Sequence, residues 1–187
     1  DLLGVDPDEI LLVSAKEGLG IPELLEEVVK RVPPPRGDVN KPMRALIYDS
    51  YYDRYRGAIP SVRVVDGVLK KGTRITFGAS DSVYEVEEVG YNQLRRVVTP
   101  QLTAGEVGFV VANVRSVKET RAGDTIFDAD NKASEALPGY QAVRSFVFAG
   151  VYPTDTQQYE DLRDALEKLQ LNDASLQYQP ESSTALG

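Results

Sequence analysis

The chain of 187 residues contains no cysteine and no histidine, and each absence removes chemistry. Without cysteine there is no disulfide, no thiolate metal site and no cysteine nucleophile. Without histidine the commonest general base and transition-metal ligand is gone. A self-contained hydrolase is therefore not expected. No apolar run approaches the roughly 18 residues of a membrane span, and no basic start followed by an apolar core marks a signal peptide. A cytoplasm or an equivalent organelle compartment suits such a chain. Positive charge is also scarce: 21 Lys and Arg against 29 Asp and Glu leave a net charge of −8. That balance opposes non-specific binding to a phosphate backbone. Arg54, Arg56, Lys70, Lys71, Arg95 and Arg96 are the candidates for a local basic patch, and each taken singly reads as an ordinary solvated charge. The single methionine is Met43, the chain opens Asp1-Leu2-Leu3, and it closes within a Ser/Thr-containing run at Gly187. We expect a piece of a longer protein, divided at 1–35, 36–132 and 133–187.

The middle region carries the clearest pattern. Val62 and Val64 alternate with Ser61 and Arg63, and Ile75 and Phe77 alternate with Arg74 and Thr76, as strands buried on one face do. Asp66-Gly67 supplies the positive φ of a two-residue hairpin turn, and Gly72 can do the same after Lys70-Lys71, so the stretch is expected to be a meander. Further strands are expected at 44–51, 58–65, 82–89, 107–114 and 124–127, with Asp53-Arg54-Tyr55-Arg56-Gly57 as a loop between the first two. Many short strands in sequence suggest a closed or nearly closed antiparallel barrel, an open sandwich being the alternative. Tyr51, Tyr52 and Tyr55 are expected to pack their rings at the barrel mouth with their hydroxyls in water.

The flanking regions differ in texture. Ile10-Leu11-Leu12-Val13 is a continuous apolar run, as expected of a strand buried on both faces in a parallel sheet. A loop follows, Ser14-Ala15-Lys16-Glu17-Gly18-Leu19-Gly20, and Pro22 opens a helix at a position that tolerates proline. Leu24, Leu25, Val28, Val29 and Val32 recur on one helix face, acids lead and bases trail, and Pro33-Pro34-Pro35 ends the element. After residue 133 a strand is expected at 143–152. A capping box at Asp155 and Gln158, a helix striped by Tyr159, Leu162, Leu166 and Leu169, and a second strand at 175–178 complete a β-α-β unit.

No stretch has the spacing of a phosphate-cradling P-loop, and Asp1-Leu2-Leu3-Gly4 matches the Asp-x-x-Gly pattern of GTPases only by chance. Ser14-Ala15-Lys16 has better context, because it follows an apolar strand, where open α/β sheets bind ligands. It resembles the last guanine-contacting loop of the small G-domain fold. The triple-proline linker, the turns Gly67-Val68-Leu69-Lys70-Lys71-Gly72 and Ala104-Gly105-Glu106-Val107-Gly108, and Ala122-Gly123-Asp124-Thr125-Ile126 resemble the translational GTPases.

Within these, 46–53, 136–140, 149–153, 171–176 and 180–187 look specifically like the LepA family of back-translocating elongation factors. The resemblance covers essentially the whole chain. It implies a mainly β fold: a translation-factor-type antiparallel barrel, preceded by the last strand and helix of an α/β G domain and followed by the first half of a ferredoxin-like α+β domain. It implies a parent similar in layout to elongation factor G, a ribosome-dependent GTP hydrolase using GTP/GDP and Mg²⁺. The parent's partners would be ribosomal RNA and ribosomal proteins, with peripheral association at the inner membrane. Ser14, Ala15 and Lys16 would contact the guanine base, and Arg54 and Arg56 the ribosome. No catalytic residue and no metal ligand is expected here, and the piece alone is expected to bind no cofactor and to self-associate through its incomplete final domain. The equivalent stretch of an elongation factor G or TypA type, and a stand-alone oligonucleotide-binding barrel, are the alternatives; the last class uses a basic groove, and this chain is acidic.

Overall fold

In the computed structural model, residues 4, 6, 10–80, 82–116, 119–139, 147–171, 173 and 176–180 are described. The chain divides into two units, Asp1–Pro35 and Arg36–Gly187.

In the first unit, Gly20 takes the left-handed conformation at φ 69° and starts helix α1 (Ile21–Arg31), with Pro22 in its first turn. A side chain is excluded at Gly20, since a Cβ there would lie 2.7 Å from the Leu12 carbonyl oxygen. Glu23 stands in the first turn and Lys30 and Arg31 in the last, favourable to the helix dipole. Glu27 accepts hydrogen bonds from both, at 3.2 Å and 2.6 Å. The expected strand at Ile10–Val13 is not formed: these residues lie outside any strand and are exposed, Leu12 at 89%. A strand buried on both faces needs a neighbour on each side. Among the described residues of this unit no strand is present to supply one. No residue of α1 is buried, and Leu25, Val28 and Val29 face outward.

The second unit is built on antiparallel strands, as expected of a mainly β chain. They are β1 (Arg44–Asp53), β2 (Gly57–Asp66), β3 (Val68–Lys70), β4 (Arg74–Phe77) and β5 (Val83–Glu85), then β6 (Glu88–Asn92), β7 (Arg96–Thr99), β8 (Gln101–Thr103), β9 (Val107–Val111) and β10 (Thr125–Asp128). Eight form one sheet in the order β5-β4-β10-β1-β2-β9-β6-β7, and β3 pairs with β8. Only Val86 and Glu87 separate β5 from β6, although one is at an end of that order and the other next to the opposite end. The sheet must therefore curl until its ends meet. Val86 pins the closure, donating to the Thr73 carbonyl at 2.9 Å and accepting from the Gly72 N–H at 2.7 Å, while the Glu87 N–H donates to Val111 at 2.8 Å. Ala45, Ile47, Val62, Val64, Leu69, Ile75, Phe77, Val89, Val110 and Ile126 fill the interior from seven of these strands. Ile59, Phe109 and Val111 form a smaller buried cluster with Tyr51 packed on it.

Several details depart from expectation. Gly67 and Gly72 do take positive φ, 74° and 82°. The meander does not form, because β3 pairs with β8 and β4 with β10 and β5. The Asp66-Gly67 bend is committed elsewhere. Asp66 accepts from the Asp38 N–H at 3.2 Å and from Arg44 Nε at 3.0 Å, and a Cβ on Gly67 would lie 2.6 Å from Met43 Cα. The single strand expected at 82–89 breaks at the buried Val86. Strands β7 and β8 were not anticipated. Pro60 sits in a central strand where the ladder with β9 is interrupted, between the Ala58–Val114 bridge and the Ser61–Phe109 pair.

Beyond the barrel, a 3₁₀ turn (Thr156–Gln158) leads into α2 (Tyr159–Leu169). The capping box is not formed: Asp155 Oδ1 accepts from the Gln157 N–H at 3.0 Å, and Gln158 makes no side-chain cap. The strand expected at 143–152 lies partly outside the described residues, and 147–152 belong to no strand. Of the strand expected at 175–178, residue 175 lies outside the described residues and 176–178 form none. Among the described residues neither segment joins a sheet.

The Arg44 guanidinium, which also donates to the Glu135 carbonyl at 3.2 Å, holds the Asp66 carboxyl below the ordinary aspartate range. A carboxyl depressed on folding stabilises the fold above its ordinary pKa of about 3.9, and that contribution is lost as pH falls through the lower folded value. Asp66→Asn should lower neutral-pH stability by about 1–3 kcal/mol and flatten the acid limb of a urea-unfolding series. An unchanged acid limb would contradict this role.

Candidate functional site

Two turns carry the residues expected to contact the guanine base and the ribosome. In the first unit, Ser14 and Leu19 form an isolated antiparallel bridge, the Ser14 N–H donating to the Leu19 carbonyl at 3.0 Å. The Ser14 hydroxyl accepts from the Glu17 N–H at 3.3 Å. Gly18, at φ 72°, completes the reversal. Ala15 and Lys16 are exposed on this closed turn ahead of α1. Such a turn can offer backbone N–H groups and an ammonium to a carbonyl-bearing ligand.

In the second unit, the β1–β2 connection projects Arg54, Tyr55 and Arg56, all exposed. Asp53 Oδ1 accepts from the Tyr55 and Arg56 N–H groups at 2.8 and 2.9 Å. These two bonds, that from Arg56 foremost, hold the Asp53 carboxyl below its ordinary range. Gly57 returns the chain at φ 76°. A Cβ there would lie 2.3 Å from the Val114 carbonyl oxygen, so the position is closed to other residues. Arg56 pairs with Glu88 at 3.1 Å. Arg115 Nη2 donates to the Tyr55 carbonyl at 3.1 Å.

The six candidate cations divide among three turns: Arg54 and Arg56 at β1–β2, Lys70 and Lys71 at β3–β4, Arg95 and Arg96 at β6–β7. Arg96 is more than a solvated charge, because its guanidinium lies 4.8 Å from the Tyr51 ring centre and 5.4 Å from that of Phe109. The tyrosines also separate. Tyr51 is partly buried, and its hydroxyl is shielded from solvent with no hydrogen-bond partner among the described residues, contrary to the expected wet hydroxyl. Tyr52 packs on the interior cluster under Lys168, while Tyr55 belongs to neither core cluster and is 87% exposed. Nothing in the sequence distinguished Arg115, whose role depends on a chain reversal sixty residues away from Tyr55.

No family model matches the chain. Among curated proteins, it is 54% identical to elongation factor 4 of Acetivibrio thermocellus, 51% to that of Hydrogenobaculum sp. and 50% to that of Aquifex aeolicus. Each match covers all of this chain and 31% of the relative. The chain is similar from end to end to a stretch of elongation factor 4. The expected LepA resemblance is borne out, and the elongation factor G, TypA and stand-alone barrel alternatives are not favoured. The chain thus spans about a third of the length of the elongation factor 4 relatives it matches. Among the described residues, no helix is long and apolar enough to cross a membrane, and no group of three acidic, histidine or cysteine side chains could hold a metal ion.

Asp53→Ala should leave the barrel folded and free the turn, so amide exchange should accelerate at Tyr55 and Arg56 but not across β9. Unchanged exchange at those two amides would show that Asp53 does not order the turn.

Proposed function

We propose that this chain is the part of a ribosome-dependent GTP hydrolase of the elongation factor 4 type that supplies the guanine-base loop and the ribosome-facing barrel, within a parent acting on the elongating ribosome. The end-to-end similarity to elongation factor 4 carries the reading. The domain limits at 1–35, 36–132 and 133–187 belong to the same proposal, the first supported by the separate compactness of Asp1–Pro35. In the parent, an N–H of the Ser14–Lys16 turn would donate to the guanine carbonyl and Lys16 would flank the base. Both are supported by the exposure of Ala15 and Lys16 on a closed turn. Phosphate and Mg²⁺ contacts would come from the parent's phosphate loop and switch loops, where GTP supplies the free energy of hydrolysis. Most nucleotide affinity in such a fold comes from those contacts.

Arg54 and Arg56 would meet the ribosome, supported by their exposure on an ordered turn. Titration of a fluorescent guanine nucleotide with this chain should give no measurable binding, whereas co-sedimentation with ribosomes should be weakened by Arg54→Ala with Arg56→Ala. Micromolar nucleotide binding would overturn the division of labour. Ribosome binding indifferent to both arginines would remove them from the interface.

Peripheral membrane association of the parent would belong to the same proposal, on the family resemblance alone. Self-association of this chain alone is supported by Val147, Phe148, Val151 and Tyr152, which are exposed together. Sedimentation velocity should show concentration-dependent oligomers that disappear when Val147 and Phe148 are replaced by serine. A strictly monomeric chain would refute this.

A further inference from the structure

The turn between β1 and β2 orders its backbone from several sides and leaves one ring outside. Asp53 Oδ1 takes two amide hydrogens, Arg115 grips the Tyr55 carbonyl, and the Ala58 N–H donates to the Val114 carbonyl at 2.7 Å. The peptide beneath Tyr55 is therefore held, while the ring above it touches no core. Its sequence neighbours Tyr51 and Tyr52 both pack inward. An aromatic face presented on a pre-ordered turn loses little conformational entropy when a partner covers it.

Charge selects the class of partner. Arg56 is neutralised by Glu88, but Arg54 and Arg115 are exposed and, among the described residues, neither has a carboxylate partner. In a chain of net charge −8, Tyr55 thus follows Arg54 directly in the sequence and has the Arg115 guanidinium on its own carbonyl. An exposed π face on a turn that also carries cations suits a nucleobase with its phosphates, and base-on-aromatic stacking needs no particular base identity. A fully paired helix hides its base faces, whereas a loop or bulge can splay one out.

We propose that Tyr55 stacks on an unpaired base of RNA, with Arg54 and Arg115 meeting the phosphates on either side. This rests on the reading that the barrel faces the ribosome, and it specifies the contact that the turn makes there.

Fluorescence anisotropy with a labelled single-stranded oligoadenylate, set beside a fully paired RNA duplex, tests it on the whole chain. Single strands should bind more tightly than the duplex. Tyr55→Ala should weaken single-strand binding about ten-fold or more, and Tyr55→Phe should stay within about two-fold of the parent chain, since the ring rather than the hydroxyl stacks. Arg54→Ala and Arg115→Lys should each weaken binding, Arg54→Ala also reducing its salt dependence. Because the ring is exposed, the thermal midpoint of Tyr55→Ala should not move. Equal binding by Tyr55→Ala and the parent chain, or equal affinity for duplex and single strand, would overturn the proposal. If the chain co-sediments with ribosomes and Tyr55→Ala does so equally, stacking fails and the ribosome-facing reading survives. If the chain does not co-sediment at all, that reading fails as well.

Discussion

Closure of the curled sheet at Val86 is the constraint on which the rest of the second unit depends. A two-residue link between opposite ends of the strand order leaves one way to satisfy its amides: Val86 bonds to the segment before β4, and Glu87 to β9. Once closed, the sheet encloses a single apolar interior and few edges are left to find partners elsewhere. The short β3–β8 pair then contributes Leu69 and Leu102 to that interior, although neither strand belongs to the main sheet.

The β1–β2 turn inherits its order from this closure. Strand β2 is held on one side by β1 and on the other by β9, so the ends of β1 and β2 are fixed before the turn between them is considered. Gly57 then passes close against Val114, a contact that requires both a positive φ and the absence of a side chain. Asp53 completes the turn from within, and Arg115, next to the Val114 that bridges Ala58, completes it from the adjoining segment. Chemistry presented there is thus coupled to packing of the whole unit rather than to loop sequence alone.

The Asp1–Pro35 unit obeys the opposite logic. Its helix has good local signals, with proline at the start, acids ahead and bases behind, yet none of its residues is buried and Leu25, Val28 and Val29 stay exposed. Local propensity is enough to define α1, but the continuous run Ile10–Val13 needs neighbouring strands, and here it lies outside any strand. The segment after residue 147 behaves alike: α2 forms from its own i, i+4 pattern, while Val147–Tyr152 remains outside any sheet. Helices carry their hydrogen bonds with them; strands borrow them from elsewhere.

By itself the sequence determined the mainly β character of 41–132, both helices, the positive φ at Gly67 and Gly72, and, through its motifs, the likeness to elongation factor 4. Those features depend on residue spacing and on backbone preferences that act over a few positions. Tertiary structure alone decided that β3 leaves β2 for β8, that the 82–89 stretch breaks at Val86, and that β7 and β8 are strands at all. It also decided which of three tyrosines stays outside and which arginine joins it. Tyr51 and Tyr55 are the same residue type four positions apart, and only the partners that the fold delivers, Phe109 and Arg96 to one and Arg115 to the other's carbonyl, separate a packed ring from a presented one. Strand pairing and cross-barrel contacts join residues far apart in the chain, and no local period encodes them.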